Sequence, residues 1–126
     1  MKKNHAIHNE DACDFLLPSG KYNDWVITTA FYSSLHYVQH EMFPLKTKGK
    51  TYSNFELYYN SLGAKKPSKH SVTIDLVKKR LNKCYAHYRW LYDACMNSRY
   101  RNYLVSDPKA KQARAYLSDL KTHLCK

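Results

Sequence analysis

The apolar residues of this chain recur at helical spacing in four segments, which are separated by Gly, Pro and polar residues. The segments cover roughly residues 5–17, from Asn23 or Asp24 to Pro44, roughly residues 70–97, and from Asp107-Pro108 onward. No alternating apolar and polar pattern typical of a strand competes with them. The pattern therefore predicts four helices.

The third segment has the most regular pattern. Its apolar residues are alternately three and four positions apart, which is typical of a bundle seam: Ile74, Val77, Leu81, Cys84, Tyr88, Leu91 and Cys95. Residues off this seam should face water: Lys78, Lys79, Asn82, Lys83 and Arg89. The same reasoning predicts a buried face on the first and fourth segments: Ala6, Ala12, Phe15, Leu16, Ala113, Leu117, Leu120 and Leu124.

The second segment is apolar on most of its faces, which is typical of a helix at the centre of a bundle. It nevertheless carries a polar stripe of Tyr32, His36, Gln39 and His40 at spacings of one, three and four residues. Titratable groups on a buried helix either pair within the protein or serve a function. This stripe is therefore a candidate site.

Residues 45–71 form a long connection with six lysines and one acidic residue. A short helical turn is predicted at residues 54–62. Its lysines alternate with the aromatic residues Tyr52, Phe55, Tyr58 and Tyr59. This composition fits a flap that contacts nucleic acid, and it equally fits a lid held on the core by its aromatic side chains.

These elements predict an all-α fold, an antiparallel four-helix up-down bundle with a long basic loop between its second and third helices. A chain of 126 residues is long enough for one core, so residues 1–126 should form a single domain.

The charge is distributed unevenly along the chain. Residues 1–45 carry a net charge of −2 and residues 46–126 a net charge of +13, which gives +11 in total. A basic surface of this size attracts polyanions such as RNA through counterion release. The alternative is a lysine surface that only keeps the protein in solution.

The four cysteines, Cys13, Cys84, Cys95 and Cys125, have no zinc-binding spacing. The N-terminus lacks the apolar stretch of a signal peptide, so we expect reduced, buried thiols in a cytoplasmic protein. His36, Gln39, His40 and Glu41 interrupt the one candidate membrane span, so no membrane contact is expected.

Most catalytic motifs are absent from the sequence, including Gly-rich phosphate loops and nucleophile elbows. His36 and His40 are four residues apart, but Tyr37 stands where a zinc-protease helix needs Glu, and no third ligand is evident. We therefore expect no metal and no cofactor.

A second candidate site lies at the end of the third segment, where Arg99, Arg101 and Tyr103 occur together. The planar guanidinium of Arg is suited to binding phosphate, and Tyr can stack or donate a hydrogen bond beside it. Alternatively, Arg99 caps the last carbonyls of its helix.

Several short motifs resemble those of HEPN domains, the "higher eukaryote and prokaryote nucleotide-binding" helical bundles. They are Asp24-Trp25 with residues 30–36 (AFYSSLH), then Lys69-His70, Leu76-Val77, Leu91-Tyr92-Asp93 and Ser98-Arg99-Tyr100. The resemblance covers roughly residues 8–105. It implies a four- or five-helix up-down bundle that is often a homodimer, and a role in toxin–antitoxin, defence or RNA-processing systems. A partner protein would then be an antitoxin or a nucleotidyltransferase-like protein.

At Arg99, Arg101 and Arg114 the chain departs from the Arg-x4–6-His motif that ribonucleases of that superfamily use. No histidine lies at that distance after Arg99, Arg101 or Arg114. In a straight third helix, His70 would lie about 40 Å from Arg99, at 1.5 Å per residue. The resemblance therefore implies a bundle that binds RNA, a nucleotide or a partner protein without catalysis.

The expected binding residues are Tyr32, His36, Arg99, Arg101, Tyr103, Lys65, Lys66 and Lys69, with Lys46, Lys48 and Lys50 adding electrostatic attraction. Two alternatives stay open. One is a diverged metal-independent endoribonuclease that uses His36 and Arg99. The other is a structural or regulatory dimerisation module, in which tyrosines form the interface and the charge serves only solubility.

Overall fold

The computed structural model describes residues 2–124, apart from the side chain of Lys2. The described chain forms six α-helices, two 3-10 turns and one β-hairpin. In chain order they are α1 (Lys2–Leu16), a 3-10 turn (Leu17–Ser19), α2 (Asn23–Met42), β1 (Leu45–Thr47), β2 (Lys50–Tyr52), α3 (Phe55–Asn60), α4 (Lys69–Arg80), a 3-10 turn (Asn82–Cys84), α5 (Tyr85–Tyr100) and α6 (Asp107–Leu124). The helical class is confirmed, whereas the predicted number of four helices is not.

Helix α2 lies at the centre of the core, in contact with α1, α5 and α6. Five of its apolar residues are fully buried: Val26, Ile27, Ala30, Phe31 and Val38. Ser33 Oγ donates a hydrogen bond of 2.8 Å to the carbonyl oxygen of Ala6 on α1. The apolar character of residues 24–44 is thus explained by neighbours on several sides of one helix.

The predicted seam is largely buried, because Val77, Cys84, Tyr88, Leu91 and Cys95 are at most 2% exposed. The charged and amide residues predicted to face water are all exposed. On α6, the fully buried residues are Ala110, Ala113, Leu117 and Leu120.

The prediction for Phe15 is wrong, since its side chain is 84% exposed. On α1, the buried face carries Ala6, Glu10 and Cys13 instead. These residues are three or four positions apart, so they lie on one side of the helix, and Phe15 falls outside this stripe.

The predicted third helix is interrupted, which is the main correction to the expected fold. Leu81 has φ −131° and ψ 54°, outside the helical region, and the 3-10 turn follows it. Cys84 Sγ lies 3.8 Å from the carbonyl oxygen of Leu120, so α6 holds this turn. Because of the break, the start of α4 packs on α5: the rings of His70 and Tyr92 are 5.4 Å apart.

The connection at residues 45–71 is ordered into a hairpin and a short helix. In the hairpin Thr47 pairs with Lys50, and its two turn residues Lys48 and Gly49 have φ of 51° and 76°. The short helical turn predicted at residues 54–62 is confirmed as α3, and Asn54 caps it by accepting a hydrogen bond from Leu57 N. Phe55 is 2% exposed and anchors this segment on the core.

An ion network joins α1 to α2 and α6. The Glu10 carboxylate accepts hydrogen bonds from Tyr37 Oη at 2.7 Å, Arg114 Nη2 at 2.9 Å and Lys121 Nζ at 2.9 Å. Burial alone would raise the pKa of Glu10, but these hydrogen bonds and the two positive charges hold its pKa below its ordinary value. Arg114 also pairs with Asp14.

The thiols of Cys13 and Cys95 are buried, as predicted, and burial raises the pKa of Cys13 to about 11. Cys84 is buried as well, and Cys125 lies outside the described residues. None of the helices within residues 2–124 combines the length and the apolar character that a membrane span requires.

Candidate functional site

Arg99 and Tyr32 meet at the end of α5. Arg99 Nη1 donates a hydrogen bond of 2.8 Å to Tyr32 Oη, and its guanidinium carbon lies 5.9 Å from the centre of the Tyr32 ring. A second tyrosine ring, that of Tyr100, lies 5.2 Å from the same carbon. The two aromatic rings orient the guanidinium at the surface through cation–π contacts.

The positive charge of Arg99 is not neutralised within the described part of the chain. No Asp or Glu of residues 2–124 forms an ion pair with it, whereas Arg89 pairs with Asp93 and Arg114 with Glu10 and Asp14. The observed hydrogen bond of its guanidinium goes to Tyr32 rather than to a helix carbonyl. This arrangement favours the anion-binding interpretation of Arg99 over the helix-capping one.

His70 joins this pair from the first turn of α4. Its ring centre lies 6.5 Å from that of Tyr32 and 5.6 Å from that of Phe31. Burial and, second, the positive charge of Arg99 lower the pKa of His70 below its ordinary value. We call Tyr32, His70 and Arg99 the Arg99 cluster.

A cleft of about 220 Å³ lies beside the cluster, between α2, α3 and α4. We call it the His70 cleft; its lining includes His36, Gln39, Phe55, Glu56, Lys69 and His70. His70 belongs to both the cleft and the cluster. Arg99 is not among the residues that line the cleft, whereas His36 is.

The two histidines of α2 face different surroundings. The His36 ring stacks on that of His5, with ring centres 5.1 Å apart. His40 is exposed and lines a separate small cleft with Lys3 and Glu41. Within residues 2–124, no three His, Cys, Asp or Glu side chains are arranged to hold a metal ion.

The other predicted binding residues differ in their positions. Arg101 and Tyr103 are exposed on the connection after α5, and within the described chain no hydrogen bond or ion pair joins them to the Arg99 cluster. Lys65 is exposed. Lys66 and Lys69 lie over the Tyr59 ring at 5.0 and 5.8 Å, and Lys69 lines the His70 cleft.

The hairpin presents a small basic surface of its own. Lys46, Lys48 and Lys50 are all exposed, and Arg80 Nη2 donates a hydrogen bond of 3.2 Å to the Lys46 carbonyl. Arg80 ends α4, and His70 lies in its first turn. His70 and Arg80 are therefore about 15 Å apart along α4, at 1.5 Å per residue. This is the separation along the helix between the Arg99 cluster and the hairpin.

The proximity of His70 to the cluster is the functional feature that sequence periodicity missed. A straight helix would have placed His70 far from Arg99, and the break at Leu81 removes that separation. The apolar pattern gives no sign of the break, because Leu81 and Cys84 both keep the seam spacing. One signal was present: Lys69-His70 is among the motifs that resemble HEPN domains.

Comparisons with protein-family models, with curated proteins and with solved structures found no match to this chain. The resemblance to HEPN domains therefore stays a prediction, as do the dimer and the partner proteins that it implies.

Proposed function

We propose that this chain is an RNA-binding helical bundle of the HEPN type, in which the Arg99 cluster binds a phosphodiester. One observation carries the proposal: an exposed guanidinium, oriented by Tyr32 and without a carboxylate partner within residues 2–124, stands beside a half-buried histidine. A phosphate oxygen accepts hydrogen bonds from such a guanidinium with a favourable charge.

The basic half of the chain supports this proposal. Residues 46–126 carry a net charge of +13, and the lysines of the hairpin are exposed. Phosphates along one strand can contact the hairpin and the Arg99 cluster together, since about 15 Å separates them along α4. Each neutralised phosphate adds to affinity by releasing counterions.

The helical fold also agrees with the proposed HEPN-type bundle. The long helices α1, α5 and α6 pack around α2. We propose that these four helices form the up-down bundle of a HEPN domain, with α3, α4 and the hairpin inserted between the second and third of them. A homodimer and an antitoxin-like protein partner belong to this proposal as further expectations.

A second candidate function is metal-independent RNA cleavage, which the position of His70 favours. Its lowered pKa keeps the imidazole neutral near pH 7, so it can accept a proton. In such a reaction His70 takes the proton of a ribose 2′-hydroxyl, and the 2′ oxygen attacks phosphorus. The bond to the 5′ oxygen breaks, and His36 gives that oxygen a proton. Arg99 stabilises the charge on the phosphate oxygens.

The test measures binding and cleavage of single-stranded RNA in EDTA, with Arg99→Ala, His70→Ala and His36→Ala beside the parent. Arg89→Ala and His40→Ala are matched controls, because Arg89 is paired with Asp93 and His40 lies outside the His70 cleft. Binding that weakens about tenfold in Arg99→Ala, without cleavage, supports the RNA-binding proposal.

Cleavage that requires His70, His36 and Arg99 but not the two control residues would establish the second candidate. Absence of binding by the parent at low salt would overturn both.

A further inference from the structure

The His70 cleft has the features of a site for one flat, polar ring. It is a cleft of about 220 Å³ with Phe55 and His70 among its walls, and Gln39 and the Glu56–Lys69 pair supply its polar groups. Proteins bind the bases of single-stranded RNA in such clefts, with aromatic side chains against the base and hydrogen bonds to its Watson–Crick edge.

The polar groups of the cleft are available to a ligand. Glu56 and Lys69 are 3.2 Å apart, and their side chains are 54% and 57% exposed, so their ion pair contributes little to stability and is easily exchanged for other partners. Gln39 is only 6% exposed, and its side-chain amide lines the cleft.

The arrangement of these groups distinguishes the four bases. A carboxylate only accepts hydrogen bonds, an ammonium only donates them, and an amide does both. Guanine presents the N1–H and N2–H donors beside the O6 acceptor, so its edge fits the Glu56 carboxylate next to the Lys69 ammonium. Adenine, cytosine and uracil each lack two adjacent donors on that edge.

The cleft shares His70 with the Arg99 cluster, and the His70 ring lies 6.5 Å from that of Tyr32. We propose that the His70 cleft binds a guanine base of single-stranded RNA, with Glu56 as the residue that selects it. This inference rests on the proposed RNA binding.

The test uses fluorescence anisotropy of the full chain with short oligouridines that carry one central G, A, C or U. We expect the parent to bind the G-containing oligomer about tenfold more tightly than the others. In Glu56→Gln this preference should disappear, while affinity for the all-uridine oligomer is kept. Glu41→Gln is the matched control, because Glu41 is an exposed carboxylate outside the cleft.

The possible failures are distinguishable. Equal affinity of the parent for all four oligomers would overturn the guanine inference and leave RNA binding intact. A preference for G that survives in Glu56→Gln would overturn the role of Glu56. If no oligomer binds at low salt, the proposed function and the inference both fail.

Discussion

Arg99 on α5 and Tyr32 on α2 are joined by a hydrogen bond of 2.8 Å, although they are 67 residues apart in the chain. The tyrosine hydroxyl is the acceptor in this bond, so the guanidinium is held in place without losing its charge. Arg114 shows the contrasting arrangement, because Glu10 and Asp14 neutralise it. The difference between these two arginines is the basis for assigning anion binding to Arg99.

The substitution Tyr32→Phe should weaken RNA binding while the fold is kept. It removes the hydroxyl that positions Arg99, and the expected loss is about 1 kcal/mol of binding free energy. In the background of Arg99→Ala the same substitution should have almost no further effect, because the two residues act together. Tyr116→Phe is the control, since Tyr116 packs on Trp90 away from the cluster.

The pKa of His70 should depend on Arg99. In the parent, burial and the nearby positive charge hold this pKa below its ordinary value. The substitution Arg99→Ala removes only the second cause, so the pKa should rise without returning fully to the ordinary value. Titration of the His70 ring protons by NMR measures this directly. An unchanged pKa in Arg99→Ala, or an equal rise in Arg89→Ala, would show that Arg99 does not lie beside His70 in solution.

The Glu10 network should contribute to stability rather than to binding. The substitution Glu10→Gln removes a carboxylate that accepts hydrogen bonds from Tyr37, Arg114 and Lys121, and it should lower the free energy of unfolding by about 1–3 kcal/mol. Urea unfolding measures the change. RNA affinity should stay as in the parent; a large loss of affinity with unchanged stability would contradict a structural role.

The free energy of unfolding should also fall in acid, because the hydrogen bonds of Glu10 favour its ionised form. The pKa of Glu10 is lower in the folded protein than in the unfolded chain, so the unfolded state binds the proton first as the pH falls. The contribution of ionised Glu10 to the free energy of unfolding is complete above about pH 4.5. It is lost as the pH falls through the pKa that Glu10 has in the folded protein. His70, whose pKa is also lowered, adds a loss that begins below about pH 6.5. Unfolding curves at a series of pH values should show a shallower acid decline in Glu10→Gln than in the parent.

The long helices were predictable because their apolar residues follow helical spacing over many turns. Helix α2 begins at Asn23, one of the two predicted starts, although Tyr22 occupies the cap position without a side-chain hydrogen bond. Helix α6 begins at Asp107, with Pro108 in its first turn, as predicted. The short helix α3 was also predictable from residues 54–62, because Asn54 is a strong cap residue.

The break between α4 and α5 was not predictable from the same pattern. Neither Gly nor Pro marks it, and its cause is tertiary, since the turn at Cys84 is held against Leu120 of α6. The hairpin was missed for a different reason. Its strands have three residues each, too few for an alternating pattern, and the Lys48-Gly49 turn was its one local signal.

The candidate site was predicted in part. Tyr32 and Arg99 were named from residue type, and the structure brings them together. Lys69 and His36 line one cleft, whereas Arg101 and Tyr103 lie apart from it. The contribution of His70 depends on the break in the third helix, so no reading of helical periodicity could place it.

The measurement that tests the central claim most directly is the salt dependence of RNA affinity for the parent, Arg99→Ala and Arg89→Ala. If Arg99 binds a phosphate, the plot of log affinity against log salt should be less steep by about 1 in Arg99→Ala and unchanged in Arg89→Ala. Identical slopes for all three proteins would contradict the assignment of Arg99 as a phosphate-binding residue.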